Sequence, residues 1–433
     1  MLVSDSGNPP PSLLLLPPPP QPATPEAVWA AYRDTLECVI SRLSNEHKSS
    51  VAGGVAPVLV VAVASPVLTT ADTFNKRSVF WGRSQSLLAE IYSTVAVICA
   101  ERSIASDIEA EDPGAVDVRV LLVHYDRSSK LPYEPNSSGV YEANNTTLVD
   151  LATFASSVHP WRQIFHSSSE LGYEILTAYL NAAEGKQKLL QNQLIAVEGG
   201  ISLSKLSPTG AVDTTTGKTS NDFNSGYAIV CLGGTFDHLH LGHKLFLHAA
   251  TLLLNVDESS GAGKEHQCEL VVGISSDELL AKKNYAEELQ SWNIRASFVV
   301  NFLSTLFNRS TTTATTTMKT VQVETKEIHV TFRDGAILVR CVDFHDVYGP
   351  TVKEEAIQAL VVSGETRNGG QAVNEKRRSQ GWSMLDVYEI NVLDANTKIT
   401  NGERDDIAVN NFAGKVSSTE IRKQKAQRRQ ISP

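Results

Sequence analysis

One stretch of the chain, residues 227–254, restricts the fold more than any other. An apolar run, Tyr227–Leu232, leads into the pair Gly233–Gly234, and a helical pattern follows from about Gly242. A buried strand, a glycine turn and a helix in this order are typical of a parallel sheet with crossover helices. Further apolar runs of strand length lie at 269–274, 328–332, 337–342, 359–362 and 385–393. We predict an α/β fold with a doubly wound, Rossmann-like parallel sheet, whose ligands bind outside the carboxyl ends of the strands.

The first half of the chain predicts a separate, smaller α/β module. Apolar runs at Val58–Val63 and Val118–His124 fit buried strands, with helical patterns between and after them. Proline-rich and Gly/Ser/Thr-rich segments predict a disordered start and a linker. The predicted division is a disordered segment 1–26, an α/β module 27–198, a linker 199–223 and a domain 224–433 that folds by itself. No catalytic constellation stands out in the module, so its role is not predicted.

Charge and cysteine usage exclude several classes of protein. Residues 1–223 hold 15 Lys and Arg against 23 Asp and Glu, whereas residues 224–433 hold 23 against 25. A chain with a net charge of −10 lacks the basic face that general nucleic-acid binding needs. The longest apolar run, Val55–Leu68, is interrupted by prolines and is too short to span a bilayer. The five cysteines form no C-x-x-C pair, so we predict reduced thiols in a cytoplasmic protein. The charge and the short apolar run lead us to expect no nucleic-acid or membrane partners.

Two histidines at the start of the helix in 227–254 carry the clearest chemical signal. His240 and His243 are three residues apart around Gly242, so both imidazoles can converge at the helix N-terminus. The preceding glycines let the backbone approach a phosphate, and the helix start adds unpaired N–H groups and a positive dipole end. Such a site can stabilise charge on phosphorus during in-line displacement. A metal site is less well supported, because no third ligand lies at zinc spacing; a purely structural pair is the other alternative.

Two signatures resemble those of the HxGH nucleotidyltransferase superfamily. The first is His240-Leu-Gly-His243, and the second, Ser417-Ser-Thr-Glu-Ile-Arg422, follows in the same domain. Alone, the serine–threonine run would be read as an ordinary helix N-cap. Within the superfamily, most of 226–423 is similar to phosphopantetheine adenylyltransferase of the eukaryotic type. The matching pieces are Gly233–Lys244, Val272–Lys283, Asp346–Pro350, Val361–Thr366, Gly369–Gly370, Asn374 and Lys376–Arg378.

The resemblance implies a reaction and a set of site residues. The family transfers AMP from ATP, with Mg²⁺, to 4′-phosphopantetheine, giving dephospho-coenzyme A and pyrophosphate; association with other enzymes of coenzyme A biosynthesis would fit. By position, the implied ATP contacts are Gly233, Gly234, Thr235, Phe236, His240, His243, Ser417, Ser418, Thr419 and Arg422. The implied acceptor contacts are Thr235, Lys282, Lys283 and Arg367. The implied catalytic residues are His240, His243, Lys282 and Lys283.

Some of these assignments stay open. Relatives often carry Arg directly before the paired glycines, whereas here Asn368 stands there and Arg367 precedes it, so the role of Arg367 is not assigned. Either Lys282 or Lys283 could bind the acceptor phosphate. No cluster of side chains is set aside for a metal, and Mg²⁺ is expected on the ATP phosphates. No general base is required, since the attacking phosphate oxygen is already ionised at neutral pH.

Other functions are weighed against this one. The run Gly217-Lys218-Thr219 imitates the end of a Walker A loop, but its upstream glycine is Gly210, two residues too far. We therefore expect a monofunctional enzyme without a dephospho-coenzyme A kinase domain. A nicotinamide mononucleotide adenylyltransferase, a cytidylyltransferase and a non-catalytic scaffold remain as alternatives. A class I aminoacyl-tRNA synthetase fits less well, because the chain is acidic and we expect no anticodon-binding module after Thr419.

Overall fold

The structure is a computed structural model, and it describes most of the chain. The described residues are 9–49, 54–69, 77–127, 145–157, 160–200, 223–224, 226–256, 268–307, 317–322, 326–390, 399–400, 403–404 and 417–431. Most of the predicted linker and the Walker-like Gly217–Thr219 lie outside these residues. No helix in the described ranges is long and apolar enough to cross a membrane.

Seventeen strands and nine α-helices are found in the described ranges. The strands are β1 (Ser12–Leu16), β2 (Val58–Ser65), β3 (Val79–Phe80), β4 (Asp117–His124), β5 (Val149–Asp150), β6 (Ile164–Ser167), β7 (Leu194–Val197), β8 (Phe223–Asn224), β9 (Ile229–Gly234), β10 (Cys268–Ser275), β11 (Thr317–Gln322), β12 (Lys326–Phe332), β13 (Ile337–Phe344), β14 (Ala359–Ser363), β15 (Asp386–Ile390), β16 (Ile399–Thr400) and β17 (Glu403–Arg404). The helices are α1 (Pro25–Ser49), α2 (Trp81–Glu101), α3 (Leu151–Ser157), α4 (Glu170–Ala183), α5 (Leu241–Thr251), α6 (Asp277–Leu280), α7 (Trp292–Phe307), α8 (Arg367–Ser379) and α9 (Ser418–Ile431).

The first compact unit is built on a six-stranded sheet in the order β5-β4-β2-β1-β6-β7. Strand β1 is central and pairs in parallel with both β2 and β6. Its leucines, Leu13–Leu16, are at most 1% exposed. The prediction of disorder for 1–26 is therefore wrong at this strand. The prolines flank the leucine run without interrupting it, and a parallel strand buried on both faces is a continuous apolar run.

The second unit is built on a seven-stranded sheet in the order β11-β12-β13-β10-β9-β14-β15. Five neighbouring strands are parallel to one another, in the spatial order β13, β10, β9, β14 and β15. Strands β11 and β12 add an antiparallel edge beside β13. The chain proceeds from β9 to β10 and β13 on one side, then returns to β14 and β15 on the other. The predicted doubly wound parallel fold is confirmed. The switch in direction lies between β9 and β14, where such sheets bind ligands.

The second unit also takes in residues from the first half of the chain. It comprises the described residues of Val67–Ser93, Val140–Val149 and Thr215–Pro433. The indole of Trp81 donates to the carbonyl of Ala249 at 2.9 Å and packs edge-on against Tyr388, with ring centroids 5.0 Å apart. The hydroxyl of Thr147 donates to the carbonyl of Thr251 at 3.0 Å. This division differs from the predicted boundary at residue 224.

Candidate active site

A tight turn connects β9 to α5 at the carboxyl edge of the second sheet. Strand β9 ends at Gly234, and α5 begins at Leu241. Two non-glycine residues of the turn, Phe236 and His238, have left-handed backbones with φ of 50° and 46°. A Cβ on Gly234 would approach the Phe236 ring to 3.1 Å, closer than most real contacts. Glycine at 234 therefore lets the fully buried Phe236 ring fold back beneath the turn.

The two signature histidines come together at the start of α5. His240 is the N-cap residue of the helix, and its ring stacks on that of His243 with centroids 3.9 Å apart and planes 20° apart. The Phe236 ring lies 5.4 Å from the His243 ring on a tilted plane. The Nδ1 atoms of both histidines are buried and have no hydrogen-bond partner in the described part of the chain. The pair therefore lies at the positive end of the helix, where an anionic ligand is favoured.

Burial of the ring atoms lowers the pKa of both imidazoles. It lowers the pKa of His243 to about 3, with a smaller contribution from the neighbouring charge of His238. The pKa of His240 is held well below its usual value by burial, and further by the charges of His243, Lys244 and His238. A neutral imidazole has one N–H donor and one acceptor nitrogen. Each ring can therefore donate one hydrogen bond to a phosphate oxygen.

These lowered pKa values predict how stability depends on pH. An unfolded histidine takes up a proton near pH 6.5, whereas the folded His243 stays neutral until about pH 3. The free energy of unfolding should therefore fall as the pH is lowered through this interval, and it should be fully retained above it. Urea unfolding followed between about pH 7 and pH 4 should show a smaller decline in a His240→Gln/His243→Gln variant. Parallel declines in the two proteins would contradict the lowered pKa values of the pair.

A buried ion pair ties the second signature to this turn. Arg422 of α9 is 3% exposed, and its Nη1 donates to Asp237 Oδ2 at 2.6 Å. Its other nitrogens donate to the Asn284 carbonyl at 3.1 Å and to Thr419 Oγ1 at 3.1 Å. The sequence assigned Arg422 to the ATP phosphates, but the structure places its guanidinium against a carboxylate of the protein.

The serine–threonine run at the start of α9 lies against the same turn. Ser418 Oγ donates to the Asp237 carbonyl at 2.8 Å. Ser417 Oγ accepts from the Glu420 amide at 3.3 Å, which is the N-cap hydrogen bond of the helix. The structure therefore brings both signatures together, although they are nearly two hundred residues apart in sequence.

The predicted acceptor residues lie in three places: Thr235 is half-buried in the turn after β9, whereas Lys282, Lys283 and Arg367 are exposed. Lys282 and Lys283 form the turn after α6, and the next residue is Asn284, whose carbonyl accepts from Arg422. This turn therefore lies beside the start of α9. Arg367 lies at the start of α8, and its guanidinium is paired with Glu389 through contacts of 2.6 and 2.5 Å. Among the described residues, Arg367 makes no hydrogen bond or ion pair with either histidine of the pair.

Sequence reasoning missed a second buried arginine behind the turn. Arg295 of α7 is fully buried, and its Nη1 donates to the Thr235 carbonyl at 2.7 Å. It also donates to the Gln290 carbonyl at 3.0 Å and to Asp277 Oδ1 at 2.6 Å. A signal was present, because Arg295 lies one turn from Trp292 and Val299 on the apolar face of a helix. A charged residue on such a face needs buried partners.

The arrangement is suited to binding a polyphosphate. Phosphate oxygens are bound well by a helix N-terminus, imidazole donors and nearby hydroxyls, all of which meet here. Within the described residues, no group of three or more His, Cys, Asp or Glu side chains could hold a metal ion.

Comparison with known proteins covers both halves of the chain. The chain is 32% identical over 206 residues to phosphopantetheine adenylyltransferase of Saccharomyces cerevisiae, which covers 48% of this chain and 50% of that protein. It is 33% identical to an uncharacterized protein of Schizosaccharomyces pombe, covering 46% and 48%. It is 28% identical to phosphopantetheine adenylyltransferase of Pyrococcus furiosus, covering 39% and 79%. The chain thus spans about half the length of the two yeast relatives.

Two family models match the chain. Residues 231–424 match the cytidylyltransferase-like family. They form a cytidylyltransferase-like nucleotidyltransferase domain. The predicted resemblance of this domain to eukaryotic-type phosphopantetheine adenylyltransferase is confirmed. Residues 3–203 match a family described as a domain of unknown function, and this match includes β1.

Proposed function

We propose that the nucleotidyltransferase domain transfers AMP from ATP to 4′-phosphopantetheine. The products are dephospho-coenzyme A and pyrophosphate, so the reaction is a step of coenzyme A biosynthesis. The observation that carries the proposal is the stacked pair His240 and His243 at the start of α5, with the start of α9 held on the same turn. The Saccharomyces cerevisiae and Pyrococcus furiosus relatives are both phosphopantetheine adenylyltransferases by name, which supports the choice of acceptor.

The proposed chemistry is an in-line displacement at the α-phosphorus of ATP. A phosphate oxygen of phosphopantetheine forms the new P–O bond, and the bond from the α-phosphorus to the bridging oxygen of the β-phosphate breaks. Pyrophosphate leaves with that electron pair. The attacking oxygen carries no proton that must be removed, so positioning and charge stabilisation account for catalysis.

Each part of the site has a role in this proposal. His243 donates to the α-phosphate as charge develops, and His240 donates to the triphosphate. Gly233–Phe236 line the place where the two phosphates meet. The start of α9, Ser417–Thr419, faces the β- and γ-phosphates, and Mg²⁺ enters as part of the MgATP substrate. Lys282 or Lys283 binds the phosphate of the acceptor, and Arg367, held by Glu389, is left without a role.

A panel of acceptors tests the proposal. The full chain with MgATP and 4′-phosphopantetheine should release pyrophosphate and accumulate dephospho-coenzyme A, both followed by mass spectrometry. Dephospho-coenzyme A is the expected end product, because we propose a monofunctional adenylyltransferase without kinase activity. Parallel reactions contain nicotinamide mononucleotide with ATP, and phosphocholine with CTP. Robust turnover in one of these and none with phosphopantetheine would transfer the assignment to another nucleotidyltransferase activity.

A further inference from the structure

Asp237 joins three segments of the nucleotidyltransferase domain. Its side chain is fully buried, and Oδ2 accepts from Arg422 at 2.6 Å. Its Oδ1 accepts from the backbone amide of Gln290 at 3.0 Å, and its carbonyl accepts from Ser418 Oγ at 2.8 Å. The turn after β9, the segment before α7 and the start of α9 are therefore all bound by one residue.

Asp237 lies in the turn that leads to His240, so its contacts bear on the position of the histidine pair. It lies between the two left-handed residues, Phe236 and His238, so its carboxylate is fixed with respect to the backbone that leads to His240. The amide of His238 adds a hydrogen bond of 2.8 Å to the Gln290 side chain. A shift of this carboxylate would move the turn and α9 with respect to each other.

Stability alone does not account for such a pair. Removing two charges from water is unfavourable, and replacing a buried ion pair by apolar residues often leaves a protein as stable as before. What the pair supplies is a fixed geometry, because Arg422 also binds Asn284 and Thr419 through its remaining nitrogens. The guanidinium therefore sets the first turn of α9 against both neighbouring segments.

We propose that Asp237 is a positioning residue for the nucleoside triphosphate. It acts through Arg422 and Ser418, holding the start of α9 beside the histidine pair so that the two helix N-termini face one polyphosphate. The inference rests on the proposed function in that a nucleoside triphosphate is taken as the ligand. In this proposal the carboxylate of Asp237 neutralises the positive charge of Arg422. The phosphates are then bound by the backbone amides and hydroxyls at the starts of α5 and α9.

The test measures MgATP affinity in the full chain by isothermal titration calorimetry, without any acceptor. Asp237→Asn keeps an oxygen for the Gln290 amide but removes the charge that holds Arg422, so the Kd for MgATP should rise tenfold or more. In steady-state assays with phosphopantetheine, the KM for ATP should rise by a similar factor and the KM for the acceptor should change much less. A buried pair of the same kind serves as the control: Arg119 Nη2 lies 2.6 Å from Asp117 Oδ2 in the first unit. Asp117→Asn should lower stability without changing the Kd for MgATP.

A double variant separates positioning from stability. Asp237→Asn/Arg422→Gln removes both charges, so it relieves the unpaired buried guanidinium and should recover thermal stability. The Kd for MgATP should stay raised in this variant, because α9 is still not held. Wild-type affinity in either Asp237 variant would overturn the proposal, as would full recovery of affinity together with stability in the double variant. If the wild-type chain binds MgATP but does not use phosphopantetheine, the proposed function fails while the inference is still decided by these affinities.

Discussion

Replacement of His243 by alanine should lower kcat for adenylyl transfer by about 100-fold, the usual effect of removing one donor to a developing charge. The ring lies at the start of α5, stacked on His240, and its lowered pKa favours the neutral form, which in the proposed reaction would donate one hydrogen bond to a phosphate oxygen. This bond strengthens as charge builds on the α-phosphate, so the KM values for both substrates should change much less than kcat. Initial rates at saturating MgATP and phosphopantetheine give the comparison.

A histidine elsewhere in the second unit provides the control for this variant. His329 of β12 is half-buried and bonded to Glu327 at 2.7 Å, outside the proposed site. His329→Ala should leave kcat within about twofold of the wild-type value. A folded His243→Ala protein with an unchanged kcat would show that the histidine pair is structural, which was the alternative left open by the sequence.

Replacement of Trp81 by alanine should lower the free energy of unfolding of the second unit by about 3–5 kcal/mol, the usual range for a buried tryptophan. The side chain is 7% exposed, and the change removes its hydrogen bond to Ala249 and its contact with Tyr388. Urea unfolding of the full chain, followed by circular dichroism, measures the loss. Trp382→Ala is the matched control, because Trp382 is half-buried and rests on Arg377; its loss should be clearly smaller.

The same contacts change the expectation for a fragment of residues 224–433. The fragment holds every proposed site residue, and the sequence predicts that it folds by itself. It lacks Trp81 and Thr147, whose side chains donate hydrogen bonds to carbonyls in the last turn of α5. We therefore expect the fragment to unfold at a clearly lower urea concentration than the unit in the full chain. Equal midpoints would restore residue 224 as a domain boundary.

Local signals in the sequence were sufficient for the central part of the nucleotidyltransferase domain. The apolar run before Gly233 and the helical pattern after Gly242 lie in one continuous stretch, and the structure has β9 and α5 there. The leucine run Leu13–Leu16 was misjudged because its proline neighbours dominate the local composition. Its burial comes from β2 and β6, and β6 begins about 150 residues later in the chain.

The missed features of the site depend on pairings between distant residues. Arg422 was expected to contact phosphate because it lies one turn after a helix start, a pattern that is typical of anion sites. Its partner Asp237 is 185 positions away, and nothing near either residue indicates the pairing. Arg295 differs, since an arginine on an apolar helix face could have been recognised as buried before its partners were known.

The separation between Trp81 and its acceptor also bears on how the chain folds while it is being made. The two residues are 168 positions apart. At ribosomal rates of about 5–20 residues per second, the indole is synthesised roughly 10 to 30 s before the carbonyl that it binds. During that interval an aromatic residue that is later buried remains without its final partners. Slowing translation between the two positions should therefore lengthen the period in which the nascent chain can aggregate or recruit a chaperone.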